Sequence, residues 1–78
     1  MKVYLVVLEW SDYDGVEFDT RVASTMEKAK EIFEEFKKDH LVAYVLENCE
    51  FCKDFNNSIY AYNSNNVINL YIVEKAVE

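Results

Sequence analysis

The sequence predicts an α+β domain: an antiparallel sheet of about four strands, arranged as β-hairpin, one or two helices, β-hairpin, with the helices forming a layer on the sheet. Three observations predict it. Residues 3–10 and 16–22 carry strand-like apolar patterns on either side of Asp14-Gly15. Met26, Ala29, Ile32, Phe33 and Phe36 recur at helical spacing. Residues 58–62 and 67–73 repeat the strand pattern around an Asn-rich break.

The first strand, residues 3–10, is rich in β-branched and aromatic residues and apolar at nearly every position, as in a strand covered on both faces. The second, residues 16–22, alternates Val16, Phe18 and Val22 with Glu17, Asp19 and Arg21. Asp14-Gly15 is a favoured two-residue hairpin turn. That register sets Tyr13 opposite Val16, Ser11 opposite Phe18 and Val7 opposite Val22. One face then holds Val3, Leu5, Val7, Val16, Phe18 and Val22, and the helix is expected to cover it. The other face holds Tyr4, Val6, Leu8 and Trp10 opposite Asp19, Arg21 and Ala23. One helical layer cannot cover both faces. Either a later segment crosses over, or the Tyr4–Trp10 stripe meets another molecule.

Ser24-Thr25-Met26-Glu27 reads as a capping box with Ser24 as N-cap. The apolar stripe behind it runs to about Asp39, with Glu34 and Lys38 four apart on the wet face. Residues 40–55 read as a second helix, with Leu41, Val45, Cys49, Cys52 and Phe55 along one side. A short strand over residues 41–46 is the alternative. Asn63-Ser64-Asn65-Asn66 and Asn56-Asn57-Ser58 read as turns, because Asn side chains bond their own backbone.

Residues 1–78 suffice for one small domain, burying only about 60–65% of the unfolded surface and leaving little room for a deep cleft. The net charge of −7 opposes direct nucleic-acid binding and anionic membranes, and suits a partner protein with a basic surface. The opening apolar run stops at Glu9 without a small-residue cleavage site, so no signal peptide is expected. No 18-residue apolar stretch exists. A cytoplasmic setting with reduced cysteines is the expectation.

The densest chemistry is acidic. Asp12, Asp14, Glu17 and Asp19 surround Gly15, the single glycine. A calcium loop would need a preceding Asp and a closing bidentate Glu, and both are missing. A structural hairpin turn with a solvated acidic edge fits better, and an acidic patch that binds a basic partner comes second. Cys49 and Cys52 have the two-residue spacing of half a zinc site, with His40 the available third ligand. Two small thiols on the inner side of a helix are the plainer reading. His40 itself suits the negative end of the preceding helix. With no nucleophile–base motif, no Gly-rich phosphate loop and no paired carboxylates in a recognisable pocket, neither enzymatic activity nor a cofactor is expected.

Lys2-Val3-Tyr4-Leu5-Val6, Ser11-Asp12-Tyr13 and Ser24-Thr25-Met26-Glu27-Lys28-Ala29 resemble a group of small proteins of bacteria and their phages. Those open with a Val-Tyr strand, carry a Ser-Asp-Tyr turn and enter a helix through Thr-x-Glu-Lys-Ala. The resemblance spans about the first half of the chain. The Cys pair and the Asn-rich hairpin fall outside it. The group has no agreed activity, so the resemblance implies a setting rather than site residues: a short accessory protein of a phage or mobile element.

The expected function is therefore a non-enzymatic interaction protein that inhibits a host protein, such as a nucleic-acid-binding defence nuclease. Asp12, Asp14, Glu17 and Asp19 would steer toward it, and Tyr4, Trp10 and Tyr13 would supply buried contact. Two alternatives stand beside it: a homo-oligomer that binds or sequesters a signalling nucleotide, and a homodimer linked by zinc through the Cys pair.

Overall fold

The computed structural model describes residues 1–55 and 57–77. Among them the chain forms β1 (Lys2–Asp12), β2 (Gly15–Ala23), α1 (Met26–Lys37), α2 (His40–Glu47), β3 (Phe51–Phe55), β4 (Ser58–Tyr62) and β5 (Val67–Ala76). All strands pair antiparallel in the order β2-β1-β5-β4-β3. The α+β class is as predicted, but the described sheet has five strands rather than about four. The additional one is β3, at the far edge.

The extra strand comes from residues 40–55, where a single second helix was expected. The helix ends at Glu47, because Asn48 turns back on it: backbone N and side-chain Nδ2 both donate to Tyr44 O, at 3.1 and 2.9 Å. Glu50 N then donates to Tyr62 O at 2.9 Å, and the chain enters β3. There Phe51 lies against Tyr62 with ring centroids 5.5 Å apart. The apparent stripe Leu41, Val45, Cys49, Cys52, Phe55 spans two elements. Within α2 the buried positions are Val42 and Val45, while Leu41 is exposed.

The hairpin register is also shifted. Asp12 pairs with Gly15, Ser11 with Val16, Glu9 with Phe18 and Leu5 with Val22. Tyr13 and Asp14 are thus the central turn residues. A turn centred on Asp14-Gly15 would need positive φ at Asp14. Here Asp12 Oδ1 instead accepts from Asp14 N at 2.8 Å, and Gly15 alone takes a positive φ, 139°. The slip changes each strand's partner but leaves the two faces with the same membership.

Which face the helices cover is the reverse of the expectation. Val6, fully buried, packs with Ala23, Ile59 and Leu70 against Ala29, Ile32, Phe33 and Phe36 of α1. Val42 and Val45 of α2 cover Ala61 and Ile68, and Leu8 and Leu46 join the two clusters. The reason lies in β5. Its pairing with β1 sets Ile68, Leu70 and Ile72 beside Trp10, Leu8 and Val6. On the opposite face Asn69 and Tyr71 sit beside Glu9 and Val7. The branched apolar side of β4 and β5 therefore recruits the helices to the even-numbered side of β1, burying the most apolar surface.

The helix caps differ from expectation by a residue. Thr25, not Ser24, is the N-cap of α1, its Oγ1 accepting from Lys28 N at 3.1 Å. Glu34 pairs with Lys37 at 3.6 Å rather than with Lys38. His40 begins α2 instead of following α1, and Asp39 caps it by accepting from Leu41 N at 3.1 Å. The Asn63–Asn66 turn forms as predicted: Asn63 Oδ1 accepts from Asn65 N and Asn66 N at 2.9 and 2.8 Å. The turn expected at residues 56–58 includes Asn56, which lies outside the described residues. No helix among the described residues is long and apolar enough to cross a membrane.

Candidate functional site

The β1–β2 hairpin carries the acidic stretch beyond α1. Antiparallel pairing places Glu17 opposite Trp10 and Asp19 opposite Leu8, all on the helix side of the sheet. Asp12 lies on that side too, and Asp14 occupies the turn. Tyr13 projects from the turn and is 86% exposed.

Trp10 is the floor of this end. Its ring packs against the α2 cluster, and its Nε1 donates to Asn66 Oδ1 at 3.2 Å, in the turn between β4 and β5. The Asn63 bonds that build that turn therefore also hold the indole. Trp10, Asp12, Asp14 and Glu17 line an open hollow of about 410 Å³. A second, of about 190 Å³, runs from Trp10, Glu17 and Asp19 to Asp39 and Leu41 at the start of α2. Both are open to solvent, unlike the enclosed pockets that bury most of a small ligand.

Among the described residues, Asp12, Asp14, Glu17 and Asp19 join none of the ion pairs, which are Lys2–Glu74, Arg21–Glu35, Lys28–Glu31 and Lys37–Glu34. Arg21, the single arginine of the chain, neighbours the cluster along β2. It is held by Glu35 at 3.1 Å and lies 4.7 Å over the Phe36 ring. The four carboxylates thus keep their negative field.

Tyr4 does not belong with this group. It lies six positions from Trp10 along β1, about 20 Å away at strand rise. There it packs on the α1 cluster, with its hydroxyl 3.4 Å from Glu74. Asp39, Leu41 and Asn66 are the members the sequence did not reveal. Asp39 was legible only as part of a helix end, and Asn66 only as a turn residue.

The Cys pair is separate. Cys49 Sγ donates to Leu46 O at 3.4 Å just past α2, and Cys52 lies on β3. Desolvation raises the Cys52 thiol, with Cys49 and then Asp54 adding to the effect. His40 stands at the other end of α2, about 12 Å away by helix rise. Among the described residues no three His, Cys, Asp or Glu side chains are grouped to hold a metal ion.

No protein-family model, no curated protein and no solved structure matches the chain.

Proposed function

We propose that this chain is a non-enzymatic acidic interaction protein, encoded by a phage or mobile element, that binds and inhibits a host protein in the host cytoplasm. The acidic end of the β1–β2 hairpin contacts a Lys/Arg surface, such as the nucleic-acid-binding face of a defence nuclease. The observation that carries this reading is the set of four carboxylates without cationic partners among the described residues, Asp12, Asp14, Glu17 and Asp19, around the anchored Trp10. Unneutralised carboxylates steer toward positive surfaces and discriminate against negative ones. Trp10 and the exposed Tyr13 supply apolar contact area beside them.

The nucleotide-sequestering alternative draws less support. Phosphates call for cationic groups in the binding hollow, and the residues lining the two hollows are without Lys or Arg. The zinc-linked dimer draws on Cys49 and Cys52 alone, because His40 is too distant to join them.

Capture from host lysate on immobilised protein, followed by mass spectrometry, tests the reading. The expected partner has a basic surface, is released as salt rises, and is lost when Asp12, Asp14 and Glu17 are reversed to Lys together. Retention that ignores both salt and charge reversal excludes the acidic end as the contact.

A further inference from the structure

Among the described residues, nothing covers the face of the sheet away from the helices. It presents Leu5, Val7, Phe18, Val22, Tyr60 and Val73, with Phe18 66% and Val22 61% exposed. An apolar surface this wide is unusual on a single chain in water. We infer that this face is the interface of a homodimer, two sheets packed face to face with the helices outside.

Charge points to a second copy as the occupant. The chain carries −7 overall, so two copies repel through most of their surfaces. The strand residues of the open face carry one carboxylate, Glu9, and two ammonium groups, Lys53 and Lys75, a net of +1. On this face like-charged copies can meet without adding to that repulsion.

The arrangement of those charges fits a two-fold axis. Register places Lys53, Tyr60, Asn69, Glu9 and Phe18 in one row across the sheet. A two-fold axis parallel to β5, the central strand, lays the β1 side of one sheet over the β4–β3 side of the other. Glu9 then comes beside a copy's Tyr60 and Lys53 rather than its own image. Aligned packing of this kind is the normal way two sheets share a core.

The area is within the range for a pair. The strands hold 11, 9, 10, 5 and 5 residues. At about 3.3 Å per residue and about 4.8 Å between strands the face spans about 630 Å² per copy, at the lower end of the about 600–1,000 Å² per partner that stable pairs bury. The acidic hairpin end lies on the helix side and stays free in such a dimer, so the inference does not depend on the proposed function.

Sedimentation equilibrium tests it. The wild-type chain is expected at twice its 9.2 kDa mass. Phe18→Asp and Val73→Asp, both at exposed positions of a single chain, are each expected to raise the dissociation constant by at least about 100-fold, since each would bury an unpaired carboxylate. Added salt is expected to strengthen the pair by screening the repulsion of the acidic surfaces, opposite to its effect on a basic partner. On dilution, methyl NMR signals of Val22 and Val73 are expected to move while those of Val42 and Val45 hold, a readout that needs no variant. A wild-type chain of single mass at all concentrations overturns the inference. So does a dimer that survives both substitutions, since it joins along the β2 or β3 edge, or dilution shifts confined to the helix side.

Discussion

Tyr71 donates its hydroxyl to Glu9 at 3.0 Å across the β1–β5 pair, on the face that no helix covers. Asn69 Nδ2 approaches the other carboxylate oxygen at 3.4 Å. This bonded group sits beside Val7, Leu5 and Val73 on that face, and it makes the face titratable. Desolvation, the Glu9 hydrogen bond and the Glu9 charge, in that order, raise the Tyr71 hydroxyl above its ordinary value of 10.0.

A proton held more tightly in the folded than in the unfolded chain gives stability that is complete below the unfolded value. That stability is lost as pH rises through the folded value. Stability to urea is therefore expected to fall as pH passes about 10, and Tyr71→Phe is expected to flatten that decline. At neutral pH the same substitution is expected to cost about 1 kcal/mol for the lost hydrogen bond. An unchanged alkaline slope in Tyr71→Phe would count against the assignment.

Helix α1 is capped by Thr25, which accepts from Lys28 N. Thr25→Ala is expected to lower stability by about 1 kcal/mol, and Ser24→Ala by only a few tenths. Chemical denaturation of the two variants decides between the caps; equal losses would return the role to Ser24.

Gly15 has φ 139°, and a Cβ there would meet nothing within 4 Å. The cost of Gly15→Ala is then backbone strain alone, about 1–2 kcal/mol. A drop in melting temperature without loss of sheet signal in circular dichroism is the expected result. An unchanged melting temperature would mean that the turn relaxes to a negative φ.

The two faces of the sheet differ in what they contribute to a single chain. Leu70→Ala, in the α1 cluster, is expected to cost about 3 kcal/mol. Val22→Ala, on the open face, is expected to cost under about 0.5 kcal/mol at concentrations where single chains prevail. Losses of similar size would mean that the open face is covered within the chain.

Much of this fold is readable from local pattern. Residues 58–62 are bounded correctly because Asn residues stand on either side of the short Ile59, Tyr60 and Tyr62 run. The α1 stripe of Ala29, Ile32, Phe33 and Phe36 is buried as its spacing implies. The acidic cluster of Asp12, Glu17 and Asp19 around Trp10 follows from alternation, which survives the shifted turn because the slip preserves parity.

Other features are not local. The stripe from Leu41 to Phe55 satisfies helical spacing, yet Asn48 ends α2 and Tyr62 captures the chain as β3. Trp10 looks like a free anchor until Asn66, distant in sequence, takes its indole hydrogen. β1 is apolar on both sides, so its own residues cannot say which side faces inward. That depended on β5, whose Ile68, Leu70 and Ile72 align with Trp10, Leu8 and Val6 only once the strands pair.

By itself, then, the sequence determined the kinds of elements outside residues 40–55, the face membership of the β1–β2 hairpin and the charge that shapes any encounter, because these follow from side-chain period and composition. Tertiary structure alone decided which face became the core and which stayed open. The total apolar area gathered across paired strands sets that choice, and no single strand contains it.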